Sequence, residues 1–285
     1  MIQVGFRIPG ALGRIPFGEM AAWAAESGFG SIDLGSPDPE RVAALKANGL
    51  GLGTCDLGGT RDLLSPDEAV QKQGIETCSN ALETMAAQGF TKAFTTFNPP
   101  DSTQSRRVSL ENWIKSFPEV AKVAARVGVR IAVEGWPGAN NNALGVTPET
   151  LRAMFAVVPG EEFGINYDPS HLVRIGVDYQ RFLREFGGRA IHAHGKDTQL
   201  DSDGAYLYGN LGPSLDRPVH CGGGDWRYCI PGEGVVNWAW VLGELQRHGF
   251  DDTIAIELED FRYNGSVEGD KLGLIRAKAN LTPYL

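Results

Sequence analysis

Gly164-Ile165-Asn166-Tyr167-Asp168-Pro169-Ser170-His171 is the stretch on which the reading of this chain turns. Its residues up to Tyr167 predict a short buried strand. An aspartate follows at once, then a Pro-Ser break, then a histidine. A carboxylate and an imidazole leaving the end of a strand are poor core material, because burying either is unfavourable unless it is paired. They are good ligands for a metal or a substrate. A bland reading also exists: an acid before Pro-Ser is a common turn or helix cap.

Working outward, three more strands end in the same way. The run 129–133 is followed by Glu134, 190–193 by His194, and 253–256 by Glu257. Four other short apolar runs, 2–8, 31–34, 50–55 and 92–97, complete a set of eight. Stretches with helical spacing lie between them, among them 17–27, 39–47, 106–127, 148–157, 178–185, 236–247 and 266–280. A further helix is expected to open at Ser65-Pro66, with Ser at the cap and Pro in the first turn.

Alternation without a linker or break in composition implies a parallel sheet. Eight such units in 285 residues predict one α/β domain spanning residues 1–285, a closed (β/α)8 TIM barrel. Residues 196–233 are rich in glycine and weak in periodicity. They are expected to form a long loop after the seventh strand, acting as a lid or substrate loop. In such a barrel, strand ends meet on one face. Glu134, Asp168, His194 and Glu257 can therefore converge on one divalent ion. A mostly oxygen donor set suits Mn²⁺ best, with Mg²⁺, Co²⁺ or Zn²⁺ as alternatives.

Composition narrows the field. Hydrophobic residues make up 42% and charged residues 21%, as in ordinary globular domains. With 26 basic and 35 acidic residues the net charge is −9, against a nucleic-acid binder. No apolar run is long enough to span a bilayer, so no membrane partner is expected. Cys55, Cys78, Cys221 and Cys229 lack the spacing of a zinc or redox motif. Reduced thiols in a cytoplasmic protein are the expectation.

Asn166 to His171, His192-Ala193-His194-Gly195-Lys196-Asp197-Thr198 and Ile256-Glu257-Leu258-Glu259-Asp260 resemble the xylose isomerase-like sugar phosphate isomerase/epimerase barrels, which include ketose 3-epimerases and inosose dehydratases. Ile131 to Glu134, Trp226-Arg227-Tyr228 and Ile230 to Gly234 match further segments. The resemblance implies that Glu134, Asp168, His194 and Glu257 hold the metal and that His171 contacts a substrate oxygen. It also implies that Glu134 and Glu257 move the proton. A proton taken next to a carbonyl leaves a metal-stabilised enediolate, and two glutamates on opposite sides can remove and return it. His192 points to the same side as His194. The match to His-x-Lys-Asp favours His194 as ligand and leaves His192 as a hydrogen-bonded residue within the barrel.

Arg227, Trp136 and Lys196 are further substrate-binding candidates: a fixed planar donor, a flat surface for a sugar ring, and an ammonium near the metal. Their bland readings are an ion pair with Asp225 or Glu233, a cap over the core, and pairing with Asp197 or Glu259. In the ketose 3-epimerases a substrate arginine closely follows the histidine ligand; here that region holds Leu200. His220 and His248 carry no pattern beyond His248 ending a helix.

The expected activity is a metal-dependent sugar or keto-sugar isomerase or epimerase. The alternative on the same site is a lyase or dehydratase acting on a keto-cyclitol or 3-keto-sugar. A non-catalytic sugar-binding barrel and an endonuclease IV-like phosphodiesterase rank lower, the latter because only five histidines and no basic face are present. The partner is a small sugar; a homo-oligomer, dimer or tetramer, is left open.

Overall fold

The computed structural model describes residues 2–138 and 140–285. Its strands are β1 (Gln3–Arg7), β2 (Ser31–Leu34), β3 (Gly51–Asp56), β4 (Lys92–Thr95), β5 (Arg130–Glu134), β6 (Phe163–Tyr167), β7 (Ala190–Gly195), β8 (Asp197–Leu200), β9 (Trp226–Cys229) and β10 (Thr253–Glu257). The helices are α1 (Phe17–Glu26), α2 (Pro39–Ala47), α3 (Glu68–Gln88), α4 (Arg106–Val127), α5 (Pro148–Val157), α6 (Pro169–Arg174), α7 (Tyr179–Phe186), α8 (Ser202–Tyr208), α9 (Trp238–Arg247) and α10 (Val267–Leu281).

Eight parallel strands close a barrel in the ring order β1-β10-β7-β6-β5-β4-β3-β2. The (β/α)8 expectation is met. β2, β4 and β6 are buried at every position, as strands must be when side chains fill the inside and helices cover the outside. Ring closure makes β5, β6, β7 and β10 consecutive neighbours. In register, Glu134 pairs with Asn166 and Arg7 with Glu257. The four ligand-bearing ends therefore share one half of the mouth.

Aromatic side chains fill the layer under α4. Trp113 stacks on Phe117 at 4.6 Å, and Phe97 and Phe163 meet them edge-on or tilted. This wall backs β6, the strand that carries Asp168.

Two local expectations shift. α3 begins at Glu68 rather than at Ser65-Pro66. The Ser65 hydroxyl accepts from Asp67 N–H, forming a turn, and Asp67 then caps the helix through Ala69 N–H and Val70 N–H. Pro66 keeps residue 65 extended, which delays the helix. The second concerns 196–233, which is not a structureless loop. It contains an antiparallel hairpin, β8 with β9, and α8 between them. Its strands are only four residues long and its connection is glycine-rich, so it leaves little periodicity to read.

Asp197 anchors the hairpin. Its buried carboxylate accepts from Thr198 N–H, Gly232 N–H, Val236 N–H and the Trp238 indole N–H. Asp197→Ala would strand the last three donors. Chemical denaturation is expected to show a loss of about 2–4 kcal/mol, a few unmade buried hydrogen bonds' worth. A loss under about 0.5 kcal/mol would remove Asp197 from this role.

Candidate metal and sugar site

Asp168 follows β6 directly and does two things at once. Its Oδ1 caps α6, accepting from Ser170 N–H at 2.9 Å and the Ser170 hydroxyl at 2.6 Å. Its Oδ2 is buried and turned toward the other strand ends, with the Lys196 ammonium at 3.2 Å and His171 Nε2 at 3.4 Å. Cap and ligand are thus two oxygens of one carboxylate.

There it meets the other strand ends. Glu134, Asp168, His194 and Glu257 each offer a ligand atom, and all these atoms lie within 4.8 Å of one another. His194 Nδ1 is 2.7 Å from Glu134, 3.5 Å from Glu257 and 4.0 Å from Asp168. It makes no aligned hydrogen bond despite this closeness. Three buried carboxylates and one imidazole converging on one point could hold a divalent cation, and such a donor set suits Mn²⁺, Mg²⁺ or Co²⁺. The residues fit the group.

Electrostatics agree with the geometry. Burial and the charge of Glu257 both push Glu134 up, yet His194 and His171 outweigh them and hold it below the usual carboxylate range. Burial also disfavours charge on Glu257, but Lys196, His194 and Arg7 keep it well below that range. On His194, burial opposes the imidazolium, while Glu257, Glu134 and Asp33 raise its pKa well above normal. The cluster is short of positive charge and recruits a proton.

Lys196 supplies more of that charge. It is 1% exposed, and its ammonium lies 3.2 Å from Asp168 and 3.0 Å from Glu259, with Glu257 also in contact. Burial works against its charge, but these acids raise its pKa well above normal. Of its bland partners, Glu259 is present; Asp197 is engaged elsewhere.

His171, on α6, lies 3.4 Å from Asp168 and 3.5 Å from Glu134 through Nε2. Its Nδ1 is 2.7 Å from the Tyr228 hydroxyl, which also accepts from Arg174 at 3.2 Å. Tyr228 lies on the inner face of β9, and alternation along a strand sends its neighbour Arg227 to the other face. Arg227 therefore meets Gln199, Asp260 at 3.5 Å and the Phe261 ring, not the four strand ends. Neither Asp225 nor Glu233 is its ion-pair partner. Trp136 is half-buried in the loop after Glu134. His248 caps the end of α9, beside Glu244 at 3.6 Å.

Arg7 is a weaker candidate by its place at the end of the first strand; the other parts of the site gave no local signal. Arg7 forms a bidentate pair with Asp56, lies 3.6 Å from Glu257 and stacks over Phe94. Asn166 donates to Glu134 at 2.9 Å. Asp33 lies behind the two histidines of β7. A cavity of about 370 Å³ opens beside Glu257, with Arg7, Arg14, Glu259 and the hairpin residues His220 and Cys221 in its lining. Among the described residues no helix is long and apolar enough to cross a membrane.

The model of the xylose isomerase-like TIM barrel family matches residues 21–279. The chain is 26% identical to the uncharacterized protein MJ1311 of Methanocaldococcus jannaschii over 54% of this chain and 45% of that one. It is 25% identical to the uncharacterized protein YfiH of Bacillus subtilis over 88% and 90%. To the rhizopine catabolism protein MocC of Rhizobium meliloti it is 24% identical over 88% and 77%. Among solved structures, a D-tagatose 3-epimerase-like protein superposes with TM-score 0.72 at 19% identity, covering 99% and 97% of the two chains. The 3-keto-D-glucoside 4-epimerase YcjR of E. coli gives 0.66 at 17%, covering 97% and 99%. Mannonate dehydratase of Streptococcus suis gives 0.70 at 10%, covering 100% and 95%. With the family model spanning nearly the whole closed barrel, the chain belongs to the xylose isomerase-like TIM barrel family.

Proposed function

We propose that this protein is a divalent-metal-dependent isomerase or epimerase of a sugar or keto-sugar, working in the cytoplasm. The single observation that carries the reading is the convergence of Glu134, Asp168, His194 and Glu257, whose candidate ligand atoms all lie within 4.8 Å of one another. These four residues would hold the ion, Mn²⁺ by preference. A bound cation supplies charge against the negative charge that grows on adjacent substrate oxygens as a C–H proton leaves.

The chain's own residues handle the proton. The Glu257 side chain is 17% exposed and lines the cavity, whereas Glu134 is 5% exposed and deeper. Glu257 is thus the glutamate that reaches an entering substrate, and it stays ionised, ready to accept the proton. Glu134, three strands away around the ring, takes up a proton from solvent and returns it to the substrate carbon on the other side, while Glu257 passes its own proton to solvent. The Lys196 ammonium directs a donor at substrate oxygens, and His171, whose Nε2 lies 3.2 Å from that ammonium, contacts the substrate beside it. Trp136 and Arg227 serve the outer part of the site, and the β8–β9 hairpin is its lid.

The names of the structural neighbours support a sugar as substrate. One observation favours a lyase as the second reading. Lys196 presents a buried ammonium beside Glu257, well placed to assist a departing hydroxyl. Incubating Mn²⁺-loaded protein with ketoses and 3-keto-glycosides in D₂O tests both. Deuterium gain with retention of mass otherwise supports the first, and loss of water or aglycone the second. Metal-loaded protein that exchanges no C–H proton on any of these substrates would overturn the reading.

The raised pKa of His194 has a consequence with a definite sign. At neutral pH the free chain carries the imidazolium proton, and ligation must expel it. Apparent Mn²⁺ affinity should rise roughly tenfold per pH unit up to the pKa of His194 and then level off. Calorimetry at pH 7 in buffers of different ionisation enthalpy should read about one proton released. No release would contradict it.

A further inference from the structure

We propose that Asp33, at the end of β2 and held there by His192, is the residue that positions His194 for ligation. The inference rests on the reading of the four strand ends as a cation site. An imidazole can offer either nitrogen, and a ligand ring is useful only when the correct one faces the ion. His194 presents Nδ1 to Glu134, Asp168 and Glu257, and Nε2 to Asp33 Oδ2 at 3.7 Å. The ring is fixed on its other sides by Phe94, stacked at 5.3 Å and 29°, and by His192, edge-on at 5.6 Å and 84°.

Asp33 is 1% exposed, and a carboxylate so buried must be paired. Both its oxygens are assigned. Oδ1 accepts from Thr54 N–H at 2.8 Å, and Oδ2 bonds His192 Nε2 at 3.0 Å while facing His194. The next strand leaves room for it: a Cβ on Gly53 would stand 1.9 Å from Asp33 Oδ1. His192 and His194 are two residues apart on β7 and point to one side of the strand, so a single carboxylate oxygen sits behind both rings. The 3.7 Å approach to His194 is longer than a hydrogen bond. Its effect is one of charge and direction, favouring the form with the proton on Nε2 and the lone pair of Nδ1 in the cluster. A carboxylate behind a ligand histidine commonly has this role, and its removal weakens metal binding by about 10–100-fold.

The test compares wild-type protein with Asp33→Asn and His192→Phe in Mn²⁺ and Co²⁺ titrations, with thermal melts of the metal-free chains. Asp33→Asn is expected to keep its melting temperature within a few degrees and to lose about 10–100-fold in affinity. The Co²⁺-loaded wild type should show one slowly exchanging, hyperfine-shifted imidazole N–H, and Asp33→Asn should lose it or speed its exchange. That signal reports ring orientation, which a merely structural role would not move. If Asp33→Asn does not fold, the N–H signal in the wild type and the affinity of His192→Phe decide the question. Affinity within twofold of wild type in a folded variant, or no such N–H in the wild type, overturns the proposal while leaving the cation site intact. A wild type that takes up neither ion overturns both.

Discussion

Replacing Glu257 with Gln leaves the barrel folded and stops solvent deuterium from entering the substrate C–H bond. The amide keeps the shape of the carboxylate but cannot accept a proton. Glu257 is held ionised by Lys196, His194 and Arg7 and lines the cavity beside the cluster. Loss of a positioned base costs about 10²–10⁴ in rate. Some stability is lost, because Lys196 gives up one partner, but Asp168 and Glu259 still pair its ammonium and the barrel stays folded. Because Glu257 is also a proposed ligand, the measurement is made at saturating Mn²⁺ and set beside Asp168→Asn. That second variant loses a ligand without losing the base, so excess Mn²⁺ should restore its exchange and should not restore that of Glu257→Gln. Wild-type exchange in Glu257→Gln would sink the assigned role.

The largest effect on stability is expected from Lys196→Met. The side chain is fully enclosed, and Met fills a similar volume, so the change isolates the charge. Asp168 and Glu257 then face each other and Glu134 with no ammonium between them. Breaking a buried ion pair from one side costs about 3–5 kcal/mol. Glu259 is too exposed to add much. In a chain of this size the melting temperature should fall by roughly 10 °C. The sign of the pH dependence follows from Glu257. Its pKa is lowered in the folded chain, so its contribution is present above the unfolded carboxylate pKa of about 4.3 and is lost as pH falls through the folded value. The gap between wild type and variant should therefore narrow on acidification. Added Mn²⁺ should restore part of the melting temperature, because it brings back positive charge. A variant that melts with the wild type at pH 7 would show that the ammonium is not what holds these acids together.

The parts of the site that could be read in advance are those whose signal is local. Asp168, Glu134, His194 and Glu257 each follow a strand whose apolar run is visible. Parallel strands put their ends on one face whatever their neighbours are, so four acids or imidazoles at four such ends are brought together by topology alone. Asp168 also illustrates a limit of either-or reasoning. Its capping role and its oxygen turned toward the other strand ends are both real, because a carboxylate has two oxygens and α6 uses one. Arg227 shows a different limit. Within a hairpin, one step along the strand reverses the side chain, so Tyr228 reaches His171 while Arg227 reaches Asp260. Without knowing that 226–229 was a strand, neighbouring residues could not be told apart.

By itself, then, the order of residues determined the eightfold alternation, the closed barrel and the four strand-end side chains, since each is written in contiguous periodicity. Only the tertiary structure decided what stands behind and around them. Asp33, Asp56 and the turn at His220 come from segments far from the histidine and acids they serve. Closing the ring sets β2 and β1 on the other side of β10 from β7, and no local pattern of hydrophobicity records which side chain will face which across that enclosed space.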